Sequence, residues 1–177
     1  MKNLSSILTF IILLAIQPYT VVAQTVHLEK GKIEYKGSVK LDGGQVDLYN
    51  RAKEALQSLV KTSDSEGLQE EHDSSELKVK GYIKLISPYS IIKTVHYTIK
   101  LSTEDGKYKY RIEDVFIREK IRGGKTTDTP SEDLVKGMDT SGPTAINTEK
   151  QLNEIDMDFQ QLLDRIRNKM EEGMARK

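Results

Sequence analysis

The chain has 177 residues, with 27 basic and 27 acidic side chains and no cysteine. Its formal charge of zero carries no global bias toward a polyanionic partner such as a nucleic acid. No disulfide can staple it, so a core of buried apolar side chains has to hold the fold alone, which a domain of this size can supply.

Met1 to Ala23 carries Lys2, an apolar run from Ile7 to Ile16 broken only by Thr9, a polar stretch through Gln17, Pro18 and Thr20, and then Val21-Val22-Ala23. This is the layout of a cleaved secretory signal (residues 1–23). The apolar run is well short of the ~20 residues that span a bilayer, and no transmembrane segment is expected in the mature chain. No cysteine follows Ala23, which closes the lipoprotein route. The expectation is a protein exported to the periplasm or the extracellular space, with a single domain over residues 24–177. Small exported domains of eukaryotes lean on disulfides, so their absence favours a bacterial origin.

From Lys32 to Leu41, Ile33, Tyr35, Gly37, Val39 and Leu41 share one face, while Lys32, Glu34, Lys36, Ser38 and Lys40 share the other. That is a strand with one wet side. Asp42-Gly43-Gly44 breaks it, and Leu48, Tyr49, Ala52, Ala55, Leu56, Leu59 and Val60 then recur at three-and-four spacing. They predict an amphipathic helix of about four turns. Lys61 to Ser75 has almost no apolar content and is expected to be a loop. Its Asp64, Glu66, Glu70, Glu71 and Asp73, with His72 among them, lack both EF-hand spacing and a histidine pair at helical distance, so no metal site is expected.

Leu77, Val79, Ile83 and Leu85 alternate with Lys78, Lys80, Tyr82 and Lys84, with Gly81 in the apolar phase, and predict a second strand. Val95 to Phe116 is the strongest local signal. Val95, Tyr97, Ile99 and Leu101 in the first run and Tyr108, Tyr110 and Ile112 in the second flank Asp105-Gly106, the pattern of a hairpin whose glycine supplies the positive φ of a tight turn. Tyr97, Tyr108 and Tyr110 read as core and cross-strand packing. Beyond Ile112 the phase slips, and a bulge near Glu113-Asp114 would restore it. Those two carboxylates suggest a catalytic dyad, but neighbours on a regular strand point to opposite faces, and the pair reads as structural.

The stretch 121–147, with its glycines and prolines, is expected to be a long connection carrying one short helical turn after Ser131. Thr148 and Gln151 form a capping box, and Leu152, Ile155, Phe159, Leu162, Ile166 and Met170 follow at spacings of three and four. They predict a C-terminal helix over 148–172, long enough to cover a small sheet.

The order strand, helix, three strands, helix gives an α+β domain: a twisted, mainly antiparallel sheet with two helices packed on one face. Several stretches carry a resemblance: Ile33-Glu34-Tyr35, Leu48-Tyr49-Asn50-Arg51-Ala52-Lys53, Gly81, Val95-His96-Tyr97-Thr98-Ile99 and Asp105-Gly106-Lys107-Tyr108-Lys109-Tyr110. Over about residues 31–118 the chain resembles the Bacteroidetes family called domain of unknown function 4468, which implies a TBP-like fold. The resemblance brings no activity, cofactor or catalytic residue. Where that family often has a large aromatic residue later in the first helix, this chain has Ala55-Leu56.

The outward phase of the sheet collects a candidate binding face of Lys78, Lys80, Tyr82, Lys84, His96, Lys109 and Arg111. An anionic glycan or lipid headgroup of a cell envelope suits such a face, as does an envelope protein. Nucleic acid is disfavoured, because Tyr82 is the one clear aromatic platform in that phase and base stacking uses several. Lysines along strands also serve solubility alone. His27 and His96 read as ordinary surface histidines. No catalytic, cofactor-binding or metal-ligating motif is present, and no cofactor is expected. The expectation is a non-enzymatic binding or assembly module, with an enzyme lacking a recognisable motif as the alternative.

Overall fold

The computed structural model describes residues 28–29, 31–62, 66–70, 76–85, 91–121, 124–138 and 143–172. The signal-sequence reading of 1–23 and His27 lie outside them, as does His72. Strands β1 (Leu28–Glu29) and β2 (Lys32–Ile33) form a small antiparallel pair. The main sheet contains β3 (Tyr35–Lys40), β4 (Glu66–Glu70), β5 (Glu76–Leu85), β6 (Ile91–Glu104), β7 (Lys107–Ile121) and β8 (Thr126–Pro130). Its order is β3-β7-β6-β5-β4, with β8 also on β7, and every pairing is antiparallel. The helices are α1 (Gln45–Thr62), α2 (Ser131–Met138) and α3 (Pro143–Glu172).

The apolar phase of every long strand is buried against α1 and α3. Tyr35, Leu77, Val79, Val95, Tyr97, Ile99, Leu101, Tyr108, Tyr110 and Ile112 meet Leu48, Ala52, Ala55 and Leu56 of α1 and Leu152, Ile155, Phe159 and Ile166 of α3. Phe159 anchors the long helix, standing edge-on to Tyr35 at 5.1 Å and to Tyr97 at 5.3 Å, a favoured aromatic geometry. The expected hairpin turn is present, with Gly106 at φ 74°, and it also organises the start of α1. Asp105 accepts a hydrogen bond from the Gln45 amide at 2.7 Å, so a residue 60 positions away caps the helix and satisfies one of its orphan donors. Arg51, buried, pairs with Asp47 one turn earlier and so ties the same corner together.

Five expectations are corrected. The 121–147 connection contains a strand, β8, and a two-turn helix, α2, rather than one helical turn. The loop at 61–75 contains β4. The last helix starts at Pro143, not Thr148, because proline is well suited to a first helical turn, where its missing N–H leaves no bond unmade. Two helices become three among the described residues, with α2 packed against β2, β8 and α3. The strand expected from Lys32 to Leu41 is interrupted at Glu34, so that β2 and β3 are separate.

The bulge expected at Glu113-Asp114 is present. His96 pairs with Phe116 and Thr98 with Glu113, so two residues of β7, Asp114 and Val115, oppose the single Tyr97 of β6. Asp114 takes up the extra residue at φ 55°, a left-handed conformation that aspartate tolerates better than most side chains. Beyond it Val115 and Ile117 return to the core.

Candidate functional site

The register of β5, β6 and β7 places Lys78, Lys80, Tyr82, Lys84, His96, Lys109 and Arg111 on the sheet face opposite the helices. That face is not uniformly basic. Lys109 and Lys107 share Glu104, and Arg111 sits between Glu34 and Glu113 at 3.5 and 3.7 Å. Lys100 meets Glu113 at 2.5 Å. Lys109 and Arg111 are thus held in ion pairs at one end. Lys80, Tyr82, Lys84 and His96 lie together toward the other.

Tyr82, His96 and Phe116 are in register across three strands. Tyr82 and His96 lie 5.5 Å apart, and His96 stacks on Phe116 at 4.8 Å with their planes only 8° apart. Because 4.8 Å is also the spacing between strands, the rings stand upright on the sheet and turn their edges, not their faces, to solvent. Ring edges carry the positive part of the aromatic quadrupole. The Arg118 guanidinium lies 5.3 Å from the centre of the Phe116 ring, a cation–π distance. The His96 Nε2 and Thr94 Oγ1 share a hydrogen bond at 3.0 Å, which orients the imidazole.

Phe116 is missing from the sequence-based candidate face, and Tyr82 is not its only aromatic. The signal was present, since the phase slip that announces the bulge also moves Phe116 outward beside His96. The row is bordered by Lys80 on one side and by Lys84 and Arg118 on the other. Below lies Thr98, buried and short, so the surface dips there into a hollow of about 370 Å³ lined by Lys80, Tyr82, His96, Thr98, Asp114 and Phe116, with Arg118 at its rim. Arg118 makes a two-pronged contact with Asp128 at 2.7 and 2.8 Å, and this bond holds the Asp128 carboxyl below its ordinary pKa.

A second hollow, of about 530 Å³, adjoins it. β3 covers the edge of β7 up to Ile112 and β8 covers it from Phe116, leaving the bulge at 113–115 unpaired on that side. The second hollow occupies this gap, with Lys32 and Glu34 on one side and Asp128, Pro130 and Glu132 on the other. Across it the Lys32 ammonium meets Glu132 at 2.9 Å, which lowers the Glu132 pKa. Among the described residues no group of three or more histidines, cysteines or carboxylates is placed to hold a metal ion, and no described helix is long and apolar enough to cross a membrane.

This combination of a long bulged hairpin, a helix started by that hairpin's turn and a final helix across the sheet has counterparts among known proteins. Residues 35–117 match the family described as a domain of unknown function (DUF4468) with TBP-like fold. These residues form a DUF4468 domain. The fold is similar to that of a TBP-like protein from Parabacteroides distasonis, with TM-score 0.60, 12% identity, and coverage of 81% of this chain and 97% of that one. It is also similar to a DUF4468 family protein from Bacteroides ovatus, with TM-score 0.56, 16% identity, and coverage of 80% and 90%. At these identities the likeness shows the fold alone. No curated protein matches the chain in sequence. The candidate face is the outer sheet face of the DUF4468 domain, while β8, α2 and α3 lie beyond the family match.

Proposed function

We propose that the protein is an exported, non-enzymatic binding module that holds an anionic glycan of a cell envelope on the outer face of its DUF4468 sheet. The observation that carries this reading is the upright row Tyr82–His96–Phe116, with positive ring edges outward and cations on both flanks, above a hollow floored by Thr98. An anionic substituent above the ring edges gains from the aromatic quadrupole and from Lys80, Lys84 and Arg118 together. The Arg118–Asp128 pair is exposed and contributes little to stability, so Arg118 can exchange Asp128 for a ligand anion at small cost. His96 and Phe116 stack on each other, with Arg118 over the Phe116 ring, so these two rings are not free as platforms for a nucleobase, which argues against the nucleic-acid mode of several stacking platforms. The leader-like residues 1–23 support export.

Isothermal titration calorimetry of the purified protein with uronate-containing oligosaccharides and, separately, with phosphatidylglycerol vesicles tests the reading. Glycan binding that weakens about tenfold in Lys80→Ala and with rising salt supports it. Binding to vesicles alone would replace glycan by lipid. Turnover of ester, phosphate or glycoside substrates, abolished by a point change in the hollow, would overturn the non-enzymatic part.

A further inference from the structure

Histidine is the side chain whose charge changes near neutral pH, and His96 occupies the middle of the aromatic row. It is half-buried, it lines the first hollow, and a ring stands against each of its faces. Its hydrogen bond fixes the tautomer. The Thr94 hydroxyl donates to the Arg118 carbonyl at 3.5 Å, so what it offers His96 Nε2 at 3.0 Å is a lone pair. Nε2 therefore carries the hydrogen of the neutral ring, and the proton that makes the cation goes to Nδ1. The ring gains charge without turning and without losing Thr94.

The neighbours of His96 on three strands divide over such a charge. Tyr82 of β5 and Phe116 of β7 attract a ring cation through their faces. Lys80 and Lys84 are its diagonal neighbours on β5 and repel it, as does Arg118 of β7. Asp114 at the bulge and Asp128 of β8 act the other way, although Asp128 is already shared with Arg118. The Asp128 carboxyl, held below its ordinary pKa chiefly by Arg118, is lowered further by His96, so the two lie within electrostatic reach. Glu113, across from Thr98, is taken up by Lys100 and Arg111. Cations and carboxylates thus oppose each other around the ring, and an anion seated over the row adds to the side that favours protonation.

Resting on the anionic-glycan reading above, we infer that His96 takes up a proton as the anionic ring of the ligand settles over the row, so that the site binds more tightly in mildly acidic surroundings. Coupling between two binding events is reciprocal: a ligand that favours the protonated ring is itself held more tightly by it. Affinity is therefore greatest below the range in which histidine titrates, around about pH 6.5, and falls above it to the level of the neutral site. Exposed carboxylates titrate near about pH 4, so a uronate stays ionised throughout and only the charge of the protein changes. Lys80 and Arg118 keep their charge across the same interval, holding the anion at every pH while His96 sets how tightly.

The test is isothermal titration calorimetry with a heparosan tetrasaccharide, in which uronate alternates with N-acetylglucosamine, at about pH 5.5 and about pH 8, on either side of the histidine range. A further titration at about pH 6.5 uses buffers of different ionisation enthalpy, whose effect on the heat counts the protons taken up. The expected result is binding about fivefold or more tighter at the lower pH, with proton uptake between the two. Both are lost in His96→Gln, which keeps the affinity of the alkaline site. A proton NMR titration of the unsubstituted protein reads the same coupling with no variant, as a His96 pKa that rises when the tetrasaccharide is added. Equal affinity at the two pH values without proton uptake overturns the role given to His96 and leaves the glycan reading standing. Proton uptake that persists in folded His96→Gln, or a His96 pKa that the tetrasaccharide does not move, overturns it as well. No binding at either pH overturns both readings.

Discussion

Gly81 of β5 and Tyr97 of β6 are cross-strand partners, and the phenol lies so close over the glycine that a Cβ there would meet Oη at 2.7 Å and Cζ at 2.9 Å. Gly37 stands in the same relation to Tyr110 on the other side of the sheet. Each glycine makes room for a ring that fills the space between sheet and helices. Gly81→Ala forces the Tyr97 ring off its position against Phe159 and is expected to cost about 1–3 kcal/mol, the usual range for overpacking. Urea unfolding measures this, and a midpoint within error of the parent would show that the ring has somewhere else to go.

Tyr35 is buried and donates its hydroxyl to Asp156 Oδ1 at 2.9 Å, a link between β3 and α3 across 121 residues of sequence. Burial, reinforced by Asp156, raises its pKa. Tyr35→Phe keeps the ring contact with Phe159 but removes the bond to a carboxylate, with an expected loss of about 1–3 kcal/mol. Adding Asp156→Asn to that variant should then cost much less than it does alone. Additive effects of the two changes would dissolve the proposed bond.

The alkaline limb of stability follows from the same core. Burial lifts the hydroxyls of Tyr97 and Tyr108 to about 12, above the value of 10 for an exposed tyrosine. Both groups are neutral when protonated, and their pKa values are higher in the folded state. Their contribution is therefore fully present below pH 10 and lost as pH rises through about 12, at roughly 2–3 kcal/mol per tyrosine. Unfolding midpoints measured across that interval should fall steeply, with phenolate absorbance appearing together with unfolding. Phenolate formation that precedes unfolding would mean that these rings are wetter than the structure has them.

Asp114 is expected to tolerate asparagine and not valine. At φ 55° a β-branched side chain meets the backbone, and Asp114→Val should cost about 1–2 kcal/mol, whereas Asp114→Asn should stay within about 0.5 kcal/mol. Thermal unfolding of the two variants side by side decides it, and equal losses would remove the left-handed backbone as the reason for aspartate here.

The central hairpin, the first helix and the final apolar stripe are legible in the sequence because their side chains fall into a core and a wet phase. β8 is not, because Thr126–Pro130 is largely exposed along its length and carries no alternation. Its backbone hydrogen bonds to β7 hold it there, and no side-chain pattern records them. Glu66–Glu70 has the same polar disguise in β4. For the site, the lysines of β5 and the pair Tyr82 and His96 could be read from alternation. Phe116 could not be added without carrying the phase through the bulge, because one extra residue reverses the facing of everything after it. The second hollow was out of reach altogether, since it depends on where β3 stops and β8 starts along a strand that neither follows in sequence.

The division of the β7 edge between two short partners also governs how this protein behaves in a crowd. β6 and β7, with 14 and 15 residues the longest strands, both lie inside the sheet. Its borders are β3, β8 and β4, with six, five and five residues, and β8 ends in Pro130. A foreign strand seeking to join alongside β7 would find two brief, offset templates separated by the kink at 113–115, too short and too misaligned to extend a ladder. The same break that opens the second hollow leaves the molecule a poor seed for fibrils.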